Sequence, residues 1–203
     1  MDLERVEREL KKRWSIPYRW GRKQNDDWDE KTNFIYKTYS FESLLKKSEQ
    51  LNEDLKNYAL NRWYNFWSAM AIEYIFTSSP IVNANKNKYD KLVDFTIDNI
   101  PFDHKTSVFP KGFNRTFKYA KEHKEELIYW LYQNQSQQGR KHLKNRLFVV
   151  LYDENEEHWK LKAEIFFIKT EIEKYLNNFN KNALSHIEIE NCKALSDIIW
   201  IRK

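Results

Sequence analysis

With 203 residues the chain is long enough for one compact domain with a substantial core, and too short for two large ones. A hydrophobic content of 41%, with 16% aromatic residues, Gly 3 and Pro 4, excludes a disordered or low-complexity chain and points to a densely packed, helix-rich protein. A lone Cys192 rules out an intrachain disulfide, and the net charge of +5 is compatible with a polyanionic partner without requiring one. The start MDLERVEREL lacks the apolar stretch of a signal peptide, and no apolar run approaches the roughly 20 residues that span a bilayer. An intracellular, cytoplasmic protein with no membrane partner is therefore expected.

Residues 2 to 14 read as a helix. Residues 11 to 23, KKRWSIPYRWGRK, hold six Lys/Arg and no acid, with Trp14, Tyr18 and Trp20 interleaved. Such a segment could grip phosphates and stack bases; the plainer reading is a solvated arm pinned by its aromatics and neutralised by the acids of DDWDE at 26 to 30. The connection from 15 to 38 has no clear pattern. Ser40 looks like the N-cap of a helix over 41 to 50, and Asn52 like the N-cap of one running to about Phe76, with Glu53 and Asp54 in its first turn. Leu60, Trp63, Phe66, Trp67, Met70 and Ile72 recur near helical spacing, so this helix should be largely buried. Glu73 then projects from an apolar side and needs a partner. This divides the chain into a helical, basic-aromatic extension over 1–50 and a main domain over 51–203.

Residues 92 to 107, LVDFTIDNIPFDHKTS, predict a β-hairpin. Val93, Phe95, Ile97, Ile100 and Phe102 form one apolar stripe, and Asp98-Asn99 tolerate the positive φ of a two-residue turn. In this register Ile97 pairs with Ile100 and Asp94 faces Asp103, with Lys105 on the same face as Asp103. Opposed carboxylates repel, and a divalent cation would compensate them: Mg²⁺ takes hard oxygen ligands, and Mn²⁺ is expected to substitute. Lys105 suits a different task, orienting the attacking water or stabilising charge on a phosphorane-like transition state. The simpler alternative is a salt-bridged hairpin in which Lys105 neutralises both acids. His104, on the apolar side, reads as a hydrogen-bonded core histidine. Pro101 cannot donate to a ladder and marks an edge or bulge. A helix over 115 to 134, a strand over Arg146 to Tyr152, a helix over 163 to 178, and one or two strands in HIEIENCKALSDIIWI follow. The stretch from Lys105 to Arg146 carries ten Lys/Arg against three Glu, which makes it the better nucleic-acid track.

Asp94, a short turn and Asp103-His104-Lys105 resemble the PD-(D/E)xK nuclease superfamily, with Val93 in place of the proline of the motif's name. The resemblance covers about residues 52 to 178 and implies an α/β (α+β) protein with a restriction-endonuclease-like αβββαβ core, a mixed central sheet flanked by helices, preceded here by an extra helical segment. It also implies that Asp94, Asp103 and Glu73 are metal ligands and Lys105 the catalytic lysine. Lys111, Arg115, Gln138, Arg140 and Lys141 are candidate nucleic-acid contacts, with Gln135 and Gln137 as further glutamines after the helix. The expected function is Mg²⁺-dependent hydrolysis of phosphodiester bonds in DNA, RNA remaining open, in a restriction, defence or mobile-element setting. A homodimer is expected if both strands are cut. The alternative is a non-catalytic nucleic-acid-binding module that keeps the fold. There is no Cys/His metal spacing and no glycine-rich phosphate loop.

Overall fold

Side-chain caps start the helices where the sequence predicts. In the computed structural model, which describes residues 1–19, 26–87, 93–135, 144–189 and 192–203, helix α1 (Leu3–Lys11) begins on Asp2, whose carboxylate accepts from the Arg5 amide at 3.0 Å. A 3₁₀ turn, Lys12–Ser15, extends it. Helix α2 (Asp26–Lys31) and the 3₁₀ turn Asn33–Lys37 fill the connection that had no pattern. Ser40 Oγ caps α3 (Phe41–Ser48) through Ser43 N at 3.2 Å, and Asn52 Oδ1 caps α4 (Glu53–Thr77) through Leu55 N at 2.9 Å.

Two compact units result, Met1–Ile72 with Lys160–Phe167, and Glu73–Trp159 with Ile168–Lys203. The first is helical. Residues 58 to 64 of α4 are buried without interruption, and Val6, Leu10, Ile35, Phe41 and Leu44 complete its core. Trp63 and Trp67 both donate their indole N–H to the Thr38 carbonyl, at 2.6 and 3.0 Å. The basic-aromatic arm is pinned here through Trp14, as the plainer reading expects, but Arg13 is buried and not solvated. Lys11, Lys12 and Arg19 pair with Glu7, Glu164, Glu9 and Glu53, outside the acids of 26 to 30. Arg13 is fully buried, donating to the carbonyls of Ile16 and Pro17 and to Asn61 Oδ1 at 2.9 Å, and Trp14 donates to the Tyr64 hydroxyl.

The second unit is a six-stranded mixed sheet in the order β1-β2-β3-β4-β6-β5. Strands β1 (Val82–Ala84), β2 (Phe95–Ile97) and β3 (Ile100–Val108) form an antiparallel meander. After β3, Thr116 caps α5 (Phe117–Glu122), and α6 (Lys124–Gln135) follows; the single helix expected over 115 to 134 is broken at His123, whose φ of −124° is not helical. Strand β4 (Arg146–Tyr152) runs parallel to β3 and to β6 (Cys192–Arg202), with β5 (Ser185–Ile189) antiparallel at the far edge. Leu147 to Leu151 are wholly buried, the continuous apolar run of a strand covered on both faces. On one face Phe148, Val150 and Ile198 pack with Leu127, Ile128 and Leu131 of α6. On the other, Phe76 near the end of α4 stacks on Phe95 at 4.7 Å, and Tyr175 of α7 (Ile165–Asn177) reaches Asp197 at 3.1 Å. No helix among the described residues is long and apolar enough to cross a membrane.

Candidate active site at the β2–β3 hairpin

The hairpin has the expected turn. Asp98 and Asn99 take φ of 48° and 61°, the pair of left-handed residues that a tight turn between twisted strands requires, and the ladder pairs Ile97 with Ile100, Thr96 with Pro101 and Phe95 with Phe102. There it stops. The Asp94 N–H donates to the Phe102 carbonyl at 2.9 Å, so Asp94 and Phe95 both lie opposite Phe102, and the expected Asp94:Asp103 pair is not formed. The Asp94 carbonyl accepts from Asn85 N at 3.0 Å, and the Asn85 side chain holds the Val93 carbonyl at 2.8 Å, so the strand is fixed from its other side as well.

The consequence is a division of the acids between the two faces of β3. Asp94 Oδ2 accepts twice from His104, from its N–H at 2.8 Å and from its ring Nδ1 at 2.7 Å. His104 is 7% exposed on the Phe102 side, as expected of a core histidine. Asp103 is its neighbour and points the other way. It is buried, with Oδ1 held by Lys105 Nζ at 2.7 Å and Oδ2 by Arg146 Nε at 3.2 Å. Arg146 stands beside Asp103 because β4 pairs in parallel with β3 from that residue, and its guanidinium lies 5.0 Å from the Tyr132 ring centre. Lys105, on the Asp103 face as predicted, keeps 46% of its side chain exposed.

Glu73 lies within electrostatic range of Asp94 and His104. Burial and the Asp94 charge push its carboxyl above the usual range, His104 opposing in part. It has no hydrogen-bond or ion-pair donor among the described residues. Burial would raise Asp94 too, but the hydrogen bonds and charge of His104 and the charge of Lys105 outweigh it and hold Asp94 below the ordinary carboxylate value. One acid of the pair is thus ionised and clamped on a single oxygen; the other is unanswered. Both are hard oxygen donors of the kind that a divalent cation completed by water takes. Asp103, with both oxygens in ion pairs, does not share that face. Among the described residues, no group of three or more His, Cys, Asp or Glu side chains is arranged to hold a metal.

Of the remaining candidates, Lys111 and Arg115 follow the far end of β3, with Val108 five residues beyond Asp103, roughly 17 Å of strand. Lys111 faces Glu156 at 3.6 Å, and Arg115 lies 5.5 Å from the Tyr119 ring centre, so neither joins the hairpin cluster. Gln137, Gln138, Arg140 and Lys141 lie outside the described residues, as does the Gln135 side chain. Arg146 and the His104 clamp were not read from the sequence as parts of the site. The first depends on the register of a strand pair more than 40 positions apart in sequence, and the second on where the ladder ends. Comparison with protein-family models, with curated proteins and with solved structures gives no match.

Proposed function

We propose that this chain is a metal-dependent endonuclease that hydrolyses phosphodiester bonds in DNA, with Glu73 and Asp94 holding Mg²⁺ on one face of β3 and Lys105, whose charge reaches Asp94 from the other face, acting on the scissile group where the substrate passes the strand. The observation that carries this reading is the half-buried acid pair, one member without a donor, within electrostatic reach of a partly exposed lysine. The run α4, β1, β2, β3, α6, β4, with β4 parallel to β3, supports a restriction-endonuclease-like αβββαβ core, to which β5 and β6 are added.

A bound Mg²⁺ would polarise the phosphate and lower the pKa of a coordinated water. The chain's own groups do the rest. Glu73 and Asp94 supply negative charge that no protein donor cancels fully. Lys105, tethered by Asp103, presents an ammonium to an anionic phosphate, and Arg146 fixes Asp103 so that the tether is rigid. Asp103 is proposed as an anchor for Lys105 on the opposite face of β3, and not as a ligand of this metal.

One observation favours a second reading, the non-catalytic nucleic-acid-binding module: the complete ion pairing of Asp103 is what a salt-bridged hairpin looks like. A panel of supercoiled, linear duplex and single-stranded DNA and of RNA, with Mg²⁺, Mn²⁺ or EDTA, separates the two. Metal-dependent cutting by wild type that falls at least about 100-fold in Lys105→Ala and Asp94→Ala is expected. Binding with no cutting of any substrate favours the module, and cutting unchanged in both variants places the activity elsewhere.

A further inference from the structure

We infer that His104 is a positioning residue for the cation site, turning the Asp94 carboxylate so that Oδ1 stays free of protein donors for a cation shared with Glu73. This rests on the metal-dependent reading above. Both donors from His104 converge on the same oxygen, Oδ2, at 2.8 and 2.7 Å, and Asp94 Oδ1 has no partner among the described residues. An ionised carboxylate has only acceptors, so the ring must carry its proton on Nδ1.

The imidazole cannot rotate away from that task. It is buried on the Phe102 face of β3, its centre 6.0 Å from the Phe95 ring, on which it stacks with the planes 25° apart, and 5.9 Å from Phe76, and those two phenyl rings stack on each other at 4.7 Å. Phe76 and Glu73 are three residues apart on α4, one turn, so the element that packs the imidazole also delivers the second acid. Partners that hold a ligating carboxylate by hydrogen bonds fix its orientation, and their removal weakens metal binding without removing a ligand. The position between the aspartate and the lysine of the hairpin, Asp103-His104-Lys105, is therefore occupied by a group aimed at the cation site from behind.

The test is Mn²⁺ binding to the full chain, followed by the electron paramagnetic resonance signal of the free ion, for wild type, His104→Asn, His104→Leu and Glu73→Gln, with melting curves to confirm folding. The Asn amide nitrogen reaches the place of Nδ1, whereas Leu fills the space without a donor. His104→Leu is expected to weaken Mn²⁺ about tenfold or more, and His104→Asn to stay within about twofold of wild type. Equal affinity in His104→Leu, or the same loss in both variants, overturns the role. Glu73→Gln is expected to lose Mn²⁺ binding; retention there overturns the metal reading itself, and with it the role of His104.

Discussion

Buried charge is handled in opposite ways at two places, the Arg62 network of the first unit and the Glu73–Asp94 pair of the second. In the first, Arg62, 8% exposed, donates to the Asp29 carbonyl, Thr32 Oγ1 and the Tyr36 hydroxyl, and its Nε lies 3.3 Å from the Asp29 carboxylate, which also accepts from Tyr58. Glu9 accepts from the Phe41 amide and from Lys12. The charges of Arg62, Asp29 and Glu9 are each answered, as a group withdrawn from water must be. In the second unit, Glu73 is half withdrawn from water beside another acid and receives no donor. Satisfied networks hold a fold together, whereas an acid without a donor beside a second acid costs stability, and that is where the proposed cation would act.

Three substitutions sharpen that contrast. Arg62→Met removes the donor around which the first network is built and strands Asp29 and Thr32, so denaturant unfolding should show a loss of about 3 kcal/mol. Thr32→Val removes a fully buried hydroxyl that accepts from Arg62 and donates to the Trp28 carbonyl at 2.7 Å; about 1 kcal/mol should be lost. Glu73→Gln should have the opposite sign and the smallest size. Because the carboxyl of Glu73 is raised by burial and by Asp94, the folded chain holds that proton more tightly than the unfolded one. The stabilisation from the protonated form is complete below the ordinary Glu value and is lost as pH rises through the folded value. Without divalent ions, Glu73→Gln should therefore melt about 2 °C higher than wild type at pH 7.5, with the difference fading towards pH 4. A lower melting temperature at pH 7.5 would mean that the ionised Glu73 has a stabilising partner.

How much of this was legible in the sequence depended on the range over which the physics acts. Caps and turns are local: Ser40, Asn52 and the Asp98-Asn99 turn were readable because a side chain bonds an amide three residues on, or because two adjacent residues tolerate positive φ. The buried face of α4 and strand β4 were readable from apolar spacing and an apolar run. Strand β1 was missed, since Val82–Ala84 is too short to alternate visibly. The register across the turn was correct for three pairs and failed at Asp94, where the N–H takes the Phe102 carbonyl in place of continuing the ladder. That one departure moved Asp94 from the face of Asp103 to the face of His104 and Glu73. Nothing local to Asp94 announces it.

The central claim is that Glu73 and Asp94 together hold a divalent cation. Crystals grown with Mn²⁺ and examined in an anomalous difference map test it most directly. The account predicts a peak at coordinating distance from a carboxylate oxygen of each, about 2.1 Å, with Asp94 Oδ1 the contributing atom. A protein that cuts DNA with Mn²⁺ while this position stays empty, or that binds the ion on Asp103 alone, would contradict it.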